Sequence, residues 1–497
     1  MMSKRISRFP ALVAAVTLAT GALLITHSAA QRDSVASNAT RNAAIVATTS
    51  EVLKETSEIR ELPILRPVKS SAQSRAEIER MLIKGLNEQT TAAEMHATEV
   101  SLRKFGLAPG NFEYRSFIIK LLTEQVAGYY DPKVQQFHLA DWLELEIQKP
   151  VMAHELTHAL QDQHFNLRRF EKWPHGDSDA ELAAHALIEG DATLAMLLYM
   201  AKNPLVALAF SRGLTTGVST EQYNQAPRAM RESLIFPYLQ GSEWATQLYK
   251  RGGWTMISNA FTHLPLSSEQ ILHPDKYFKY ERPIKIVLPE LTSLLNRGIR
   301  TQQSAGTTNT GTAGVSPAST RGRAESSRPI ARRPIPTSGG QLPTANRPLP
   351  TAHWRRIDSD VNGEWSYYLI LDQFLQAPAD SKRAAAGWAG DRYALYEGPR
   401  GQVLLAQVAA WDTENDAREF FDAYVKRTEL RYPGLKRLDS SDSKLETQNL
   451  EPETRNYYSW TASEGKVVME LRGLRVVILE GIPEGVDSNA LLQSLRQ

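Results

Sequence analysis

The sequence predicts an α+β protein: a mainly helical domain with a small sheet, followed by a second, smaller α+β domain. Three observations carry that expectation. Hydrophobic residues make up 42% of the 497, enough for more than one core. Helical periodicity dominates as far as residue 300, with period-two runs concentrated near residue 130. A tract over 301–352, rich in Ser, Thr, Gly, Pro and Arg and without hydrophobic periodicity, then separates this part from one where strand and helix patterns mix.

In chain order, Lys4, Arg5 and Arg8, the apolar run Ala11 to Ile25, and Ser28-Ala29-Ala30 read as an export signal over 1–30. Cleavage there would leave the protein in a periplasm, cell envelope or medium; left uncleaved, the same segment would be an anchor and the one membrane contact. Residues 31–75 are polar and read as a loosely structured lead-in, which would either cover a cleft as a propeptide or stay disordered. The domain over 76–300 opens with amphipathic helices from Ala76 to Phe105 (Ile78, Met81, Leu82, Leu86, Val100, Leu102) and another from Tyr114 to Gln125. Two β-favouring runs within Gly128 to Ala140 flank Asp131-Pro132-Lys133, which predicts a hairpin. Val151 to Leu167 and Asp179 to Ala201 are the strongest helices, the second capped by Asp177 or Ser178. Further helices are expected at Ala229–Gly241 and Ser242–Gly252, and then 301–352 as a flexible linker. The domain over 353–497 has strand-like runs at Tyr367–Leu371, Arg392–Glu397 and Gln402–Trp411, a charged helix from Thr413 to Lys426, and closing strands in VVMEL and RVVILEG.

Charge and cysteine narrow the chemistry. Lys plus Arg number 57 against 55 Asp plus Glu, a net charge of +2 that gives no reason to expect a nucleic-acid partner. The absence of cysteine excludes disulfides, thiolate metal sites and cysteine nucleophiles together, so any metal must rest on His, Asp and Glu.

The most specific chemical signal is HELTH, His154 to His158. Two histidines four apart leave one face of a helix a turn apart, so both imidazoles can reach a single zinc ion. Glu155 between them then stands beside the metal-bound water as a general base. A hydrolytic site needs a third protein ligand and an open fourth position. His164 has the spacing of a three-histidine pattern, but Gln161 stands where that pattern has its turn-forming glycine, and in a continuous helix His164 lies about 120° off the ligand face. Glu189, in ALIEGDA on the next long helix, is the better third ligand, with Glu181 and His185 on its face as replacements or supports. Asp162 and Asp191 are candidates to orient the imidazoles.

HELTH on one helix and E-G-D-A on the next resemble the gluzincin group of zinc metallopeptidases. The wider context, AHELTHALQDQHF, IEGDA and SSEQILHPDKY, is similar to a largely uncharacterised family of exported bacterial metallopeptidases, to which GWAGDRYALY also bears a likeness. The resemblance implies a zincin-like catalytic domain holding one zinc ion through His154, His158 and Glu189, and a peptide or protein substrate. Thermolysin-like enzymes also use a downstream histidine or tyrosine to stabilise the oxyanion, which makes His273 and Tyr277 candidates here. Zincins hold an extended substrate on an edge strand, a place the hairpin at Gly128–Ala140 could fill; Tyr129 and Tyr130 would then line a cleft or simply pack. FPY (Phe236 to Tyr238) and GGW (Gly252 to Trp254) also resemble family positions, but packing accounts for them and they are assigned no chemistry. Two other functions stay open: a zinc hydrolase acting on a different amide or ester, and a non-catalytic zinc-binding envelope protein, which would have no need of Glu155.

Overall fold

The structure, a computed structural model, describes residues 34–125, 127–172, 176–216, 221–297, 353–438 and 456–496. The export-signal and linker expectations, 1–30 and 301–352, fall outside the described residues. The stretch read as a loose lead-in is instead helix α1 (Ser34–Arg60) followed by strand β1 (Lys69–Gln73). Helices α2 (Arg75–Gln89) and α3 (Ala92–Phe105) divide the first amphipathic region, each opened by a capping box, Ser74 with Glu77 and Thr91 with Glu94. Gly106, at φ 77°, ends α3. Then come α4 (Tyr114–Gln125), the hairpin β2 (Gly128–Asp131) and β3 (Gln136–Ala140), and α5 (Leu145–Phe165), which carries HELTH. Helix α6 (Ser178–Lys202) is capped by Asp177, whose side chain accepts from the Ala180 N–H. After α7 (Pro204–Thr216) and α8 (Glu221–Gln225), the two helices expected around Gly241 form one, α9 (Arg228–Ala260), whose helical dihedrals break only at Gly252 and Gly253. Short helices α10 (Ser268–Leu272) and α11 (Pro274–Phe278) follow.

The second part comprises β4 (Arg355–Asp360), α12 (Gly363–Leu375), α13 (Pro378–Ala385), β5 (Trp388–Glu397), β6 (Val403–Trp411) and α14 (Glu414–Arg431). Strands β7 (Lys436–Arg437), β8 (Tyr457–Ala462), β9 (Gly465–Arg472) and β10 (Arg475–Ile482) and helix α15 (Ser488–Leu495) complete it. Its sheet is antiparallel, in the order β4-β5-β6-β10-β9-β8-β7, and the smaller sheet runs β1-β3-β2 with β1 parallel to β3. The fold is α+β, as expected. Tyr367–Leu371, expected as a strand, lies inside α12. All five side chains of that run are buried, so no polar face exists to reveal a period, and a short apolar run is ambiguous on pattern alone.

Helix α6 lies between α5 and α9 and is buried on most sides. It is long and apolar enough to cross a bilayer, but 67% of its apolar window is packed inside the protein. The core around it crosses the expected domain boundary: Leu187 of α6 and Trp244 of α9 belong to one cluster with Ile370 of α12, Leu395 of β5 and Phe420 of α14. The chain reaches the second sheet before residue 301. The Ile284 N–H bonds the Ala389 carbonyl at 2.6 Å, and Ile286, Leu291 and Leu295 pack against that sheet with Tyr396 and Leu404. Asn296 then binds the backbone of Trp354 on both sides, accepting from its N–H at 2.9 Å and donating to its carbonyl at 3.3 Å. The described chain on either side of 298–352 therefore meets at one point of one sheet, and the two parts form a single packed body.

Candidate metal centre

Helix α5 brings the two HELTH histidines together as the four-residue spacing requires. His154 Nε2 and His158 Nε2 are 3.1 Å apart, with the rings edge to face at 87°. Glu189 of α6 adds the third donor, its Oε2 at 3.0 Å from His154 Nε2 and 3.3 Å from His158 Nε2. All three side chains are buried. Donors around a tetrahedral ion with bonds of about 2.0–2.1 Å are about 3.3 Å apart, so this N₂O triangle has the dimensions of one face of such a site. His154, His158 and Glu189 are one of two carboxylate or imidazole groupings among the described residues compact enough to hold a metal. The other, Glu269, Glu281 and Asp412, already surrounds the ammonium of Lys276.

Electrostatics favours a cation at the triangle. Burial opposes charge on His158, yet the Glu189 carboxylate lifts it to about 9, while burial holds His154 below its ordinary value. Glu189 is itself pulled well below the usual carboxylate range, against burial, by the two imidazoles. A proton shared in such a pocket is what a bound divalent ion displaces.

Glu189 can reach α5 because of the residue after it. A Cβ on Gly190 would lie 2.2 Å from the Gly241 carbonyl carbon and oxygen, and one on Gly241 would lie 2.3 Å from the Ala186 carbonyl oxygen. The backbones of α6 and α9 therefore cross in contact. In E-G-D-A, the glycine makes that crossing and Asp191 works behind the histidines. His158 Nδ1 lies 2.8 Å from Gln161 Oε1, and Gln161 Nε2 donates to the Ile188 carbonyl at 3.0 Å and to Asp191 Oδ2 at 2.9 Å. Those two acceptors fix the amide with its oxygen toward His158, so His158 Nδ1 carries a hydrogen and Nε2 is the nitrogen left for a metal, once its own proton is displaced. Arg60 of α1, fully buried, holds the other Asp191 oxygen at 2.5 Å. Among the described residues His154 Nδ1 has no hydrogen-bond partner; its ring rests against that of Tyr238, 5.9 Å between centroids.

Glu155 is buried beside the triangle, and its Oε2 accepts the Tyr130 backbone N–H of β2 at 3.0 Å. Tyr130 Oη donates to Asp162, which also accepts from the Leu167 N–H and pairs with Arg66. Asp162 thus ties the end of α5 to β2 and orients no imidazole. Tyr129 packs, stacked on His138 with its hydroxyl bonded to Gln73. His164 lies past the ligand face, where its Nε2 meets the Pro63 carbonyl. Glu181 and His185 sit on the Glu189 face of α6 but in the adjoining cavity, outside the triangle.

His273 and Tyr277 are not at this centre. His273 pairs with Glu364 at the start of α12, at 2.9 Å, and the Tyr277 hydroxyl donates to the His263 carbonyl at 2.8 Å while its ring packs on Trp244. His273 thus joins the start of α11 to α12, and Tyr277 packs α11 on α9. The aromatic hydroxyl beside the metal centre belongs to Tyr238, from the FPY segment assigned above to packing. Burial, together with the Glu189 and Glu155 carboxylates, pushes its phenol well above the ordinary range, so it stays a donor. No spacing rule links it to HELTH; only the α6–α9 crossing brings it there.

A family profile described as a domain of unknown function (DUF8575) matches residues 350–491, the second sheet and its helices. No curated protein and no solved structure matches the chain. The metal centre lies wholly outside the matched range.

Proposed function

We propose that the protein is an exported, zinc-dependent peptidase that hydrolyses peptide bonds at the centre formed by His154, His158 and Glu189. The observation that carries this reading is the N₂O triangle with a buried carboxylate, Glu155, beside it. A structural zinc site needs a fourth protein ligand and no such base, whereas a hydrolytic site needs three ligands and the base. Zinc bound there would supply Lewis acidity toward a carbonyl oxygen and toward water.

The chain's own groups account for the rest. Glu155 takes a proton from the attacking water and delivers it to the leaving amine, and the Tyr130 N–H on its Oε2 keeps the carboxylate aimed. Tyr238 keeps its proton at neutral pH and is the group on hand to donate to the developing oxyanion, the part the resemblance had suggested for His273 or Tyr277. Strand β2 is an edge of its sheet and adjoins Glu155, so an extended peptide can pair along it and bring a carbonyl to the centre.

The test is zinc content and cleavage of a mixed peptide library, comparing the full chain with Glu155→Gln. One zinc per chain in both proteins, with cleavage lost about 10²- to 10⁴-fold in the variant, is the expected result. Stoichiometric zinc with no cleavage of any peptide by the wild type would overturn the peptidase reading and leave another amide or ester, or binding alone, as its role.

A further inference from the structure

A cavity of about 280 Å³ adjoins the metal centre and is lined at one end by Glu189 and Tyr238. It follows one face of α6, since Ser178, Glu181, His185 and Glu189 are spaced three and four residues apart and all line it. Eleven residues of helix rise about 16 Å, so the cavity extends well beyond the reach of a single bond at the centre. Its floor is apolar, made by α3 and α4 with Leu102, Phe105, Ile118 and Leu122. Its far wall comes from the DUF8575 region: Val361, and Ser366, Leu369 and Ile370 of α12. Among the described residues no lysine or arginine lines it, while Glu181, Asp358 and Asp360 stand toward the Ser178 end.

That wall is keyed into the helix that bears Glu189. The Ser178 N–H, at the start of α6, donates to Asp360 at 2.9 Å, and the Ser268 N–H donates to Asp179 at 3.0 Å while Ser268 Oγ accepts from the Trp365 N–H at 3.1 Å. A Cβ on Gly363 would strike the Asp179 carboxylate, so the first turns of α6 and α12 interlock with no slack.

From these observations we propose that the DUF8575 region is a working wall of the substrate site, and that the cavity receives a large apolar side chain of the peptide next to the bond cut at the metal centre. The proposal rests on the peptidase reading for the word "cut", but the cavity's preference stands on its own lining. Apolar cavities of about 150 Å³ already take benzene, so this one has room for an aromatic or long aliphatic side chain. Pockets of this kind form where two packed units meet, with a few polar groups fixing orientation. The carboxylates at the Ser178 end, with no cation in the lining, disfavour an acidic side chain in the same place.

The experiment uses the zinc-loaded full chain and peptides identical except for Phe, Leu, Ala or Asp at one position, scanned along the sequence. At one position kcat/KM should favour Phe and Leu over Ala about 10- to 100-fold, with Asp lowest. Ser366 is only partly buried, so Ser366→Phe can fill the cavity from the α12 side without entering the core. It should collapse the Phe and Leu preference while zinc content and thermal midpoint hold, and Ser366→Ala should keep the preference. An unchanged preference in folded Ser366→Phe, or no preference at any position, overturns the proposal. Calorimetric binding of the Phe and Ala peptides to Glu155→Gln, with and without Ser366→Phe, separates the two readings. Tighter Phe binding that Ser366→Phe removes, with no cleavage by the wild type, keeps the cavity assignment and ends the peptidase one.

Discussion

The donor geometry at the metal centre depends on one amide. Gln161 accepts from His158 Nδ1 and is itself pinned by Ile188 and Asp191, so replacing it frees the ring to rotate and leaves an Asp191 oxygen without its donor. Gln161→Leu should weaken zinc binding about 10- to 100-fold, read by competition with a chelator, because outer partners of a ligating histidine carry that much. An unchanged affinity would mean that packing alone sets the ring. Gln161 also shows how far the residue scale is legible in a sequence. HELTH and Glu189 could be read because helix periodicity places them. At Gln161 the pattern yields only a missing glycine, whose physical meaning, an amide that orients the second ligand, needs α6 in place. Tyr238 carries only the family resemblance of its FPY segment, since a tyrosine in an apolar helix looks the same whether it packs or faces a metal. His273 and Tyr277 were attractive through resemblance, and their partners Glu364 and His263 lie where no local pattern could indicate.

Elements carry the centre through how closely they approach. The Gly190–Gly241 crossing sets the α6–α9 separation, and with it the distance from Glu189 to α5 and from Tyr238 to His154. Gly190→Val places branched carbons where the α9 backbone now runs. The expected result is a loss of about 3 kcal/mol or more in thermal or denaturant unfolding, the upper end for overpacking, together with lost zinc binding. A variant that binds zinc normally would show that the helices can part without moving Glu189. Helix α1 belongs to the same scale. Its sequence is rich in Ala, Thr and Ser and shows little amphipathic contrast, which is why it reads as a loose lead-in. Tertiary contact makes it a helix: Ile45, Thr49, Val52, Leu53, Thr56 and Arg60 recur at helical spacing and are buried, and α1 packs along α5. Because Arg60 holds Asp191 behind His158 and Glu189, α1 is packed into the support of that centre.

At the scale of the whole molecule, the second sheet is bound to helix α3 by a buried charge network that also supports the cavity floor. Glu480 of β10, with no exposure, accepts from Arg427 and Arg431 of α14, both at 2.8 Å, and from the hydroxyls of Tyr424 and Tyr432. Arg427 continues to the Phe105 carbonyl at the end of α3, at 2.6 Å, and the buried Lys104 beside it pairs with Glu464 at 2.7 Å. Phe105 is a cavity residue, so one network joins β10 to the cavity. Burial alone would raise the Glu480 carboxyl, but Arg427 and Arg431 outweigh it and hold it at about 2, against 4.5 for a free glutamate. The folded state therefore binds fewer protons than the unfolded chain between those values. The resulting stability, about 3 kcal/mol, is complete above the unfolded value and is lost as pH falls toward 2. Glu480→Gln should lower the thermal midpoint strongly at pH 7, since it leaves the buried Arg427 guanidinium without its counter-charge and Arg431 with Glu464 alone. The gap between variant and wild type should narrow steadily from pH 4.5 to pH 2.5, as the unfolded wild-type chain takes up a proton at Glu480 that the fold still excludes. A gap that stays constant across that range would mean Glu480 is already neutral in the fold. The two parts of the protein would then be joined by apolar packing, with the arginines held by their other acceptors.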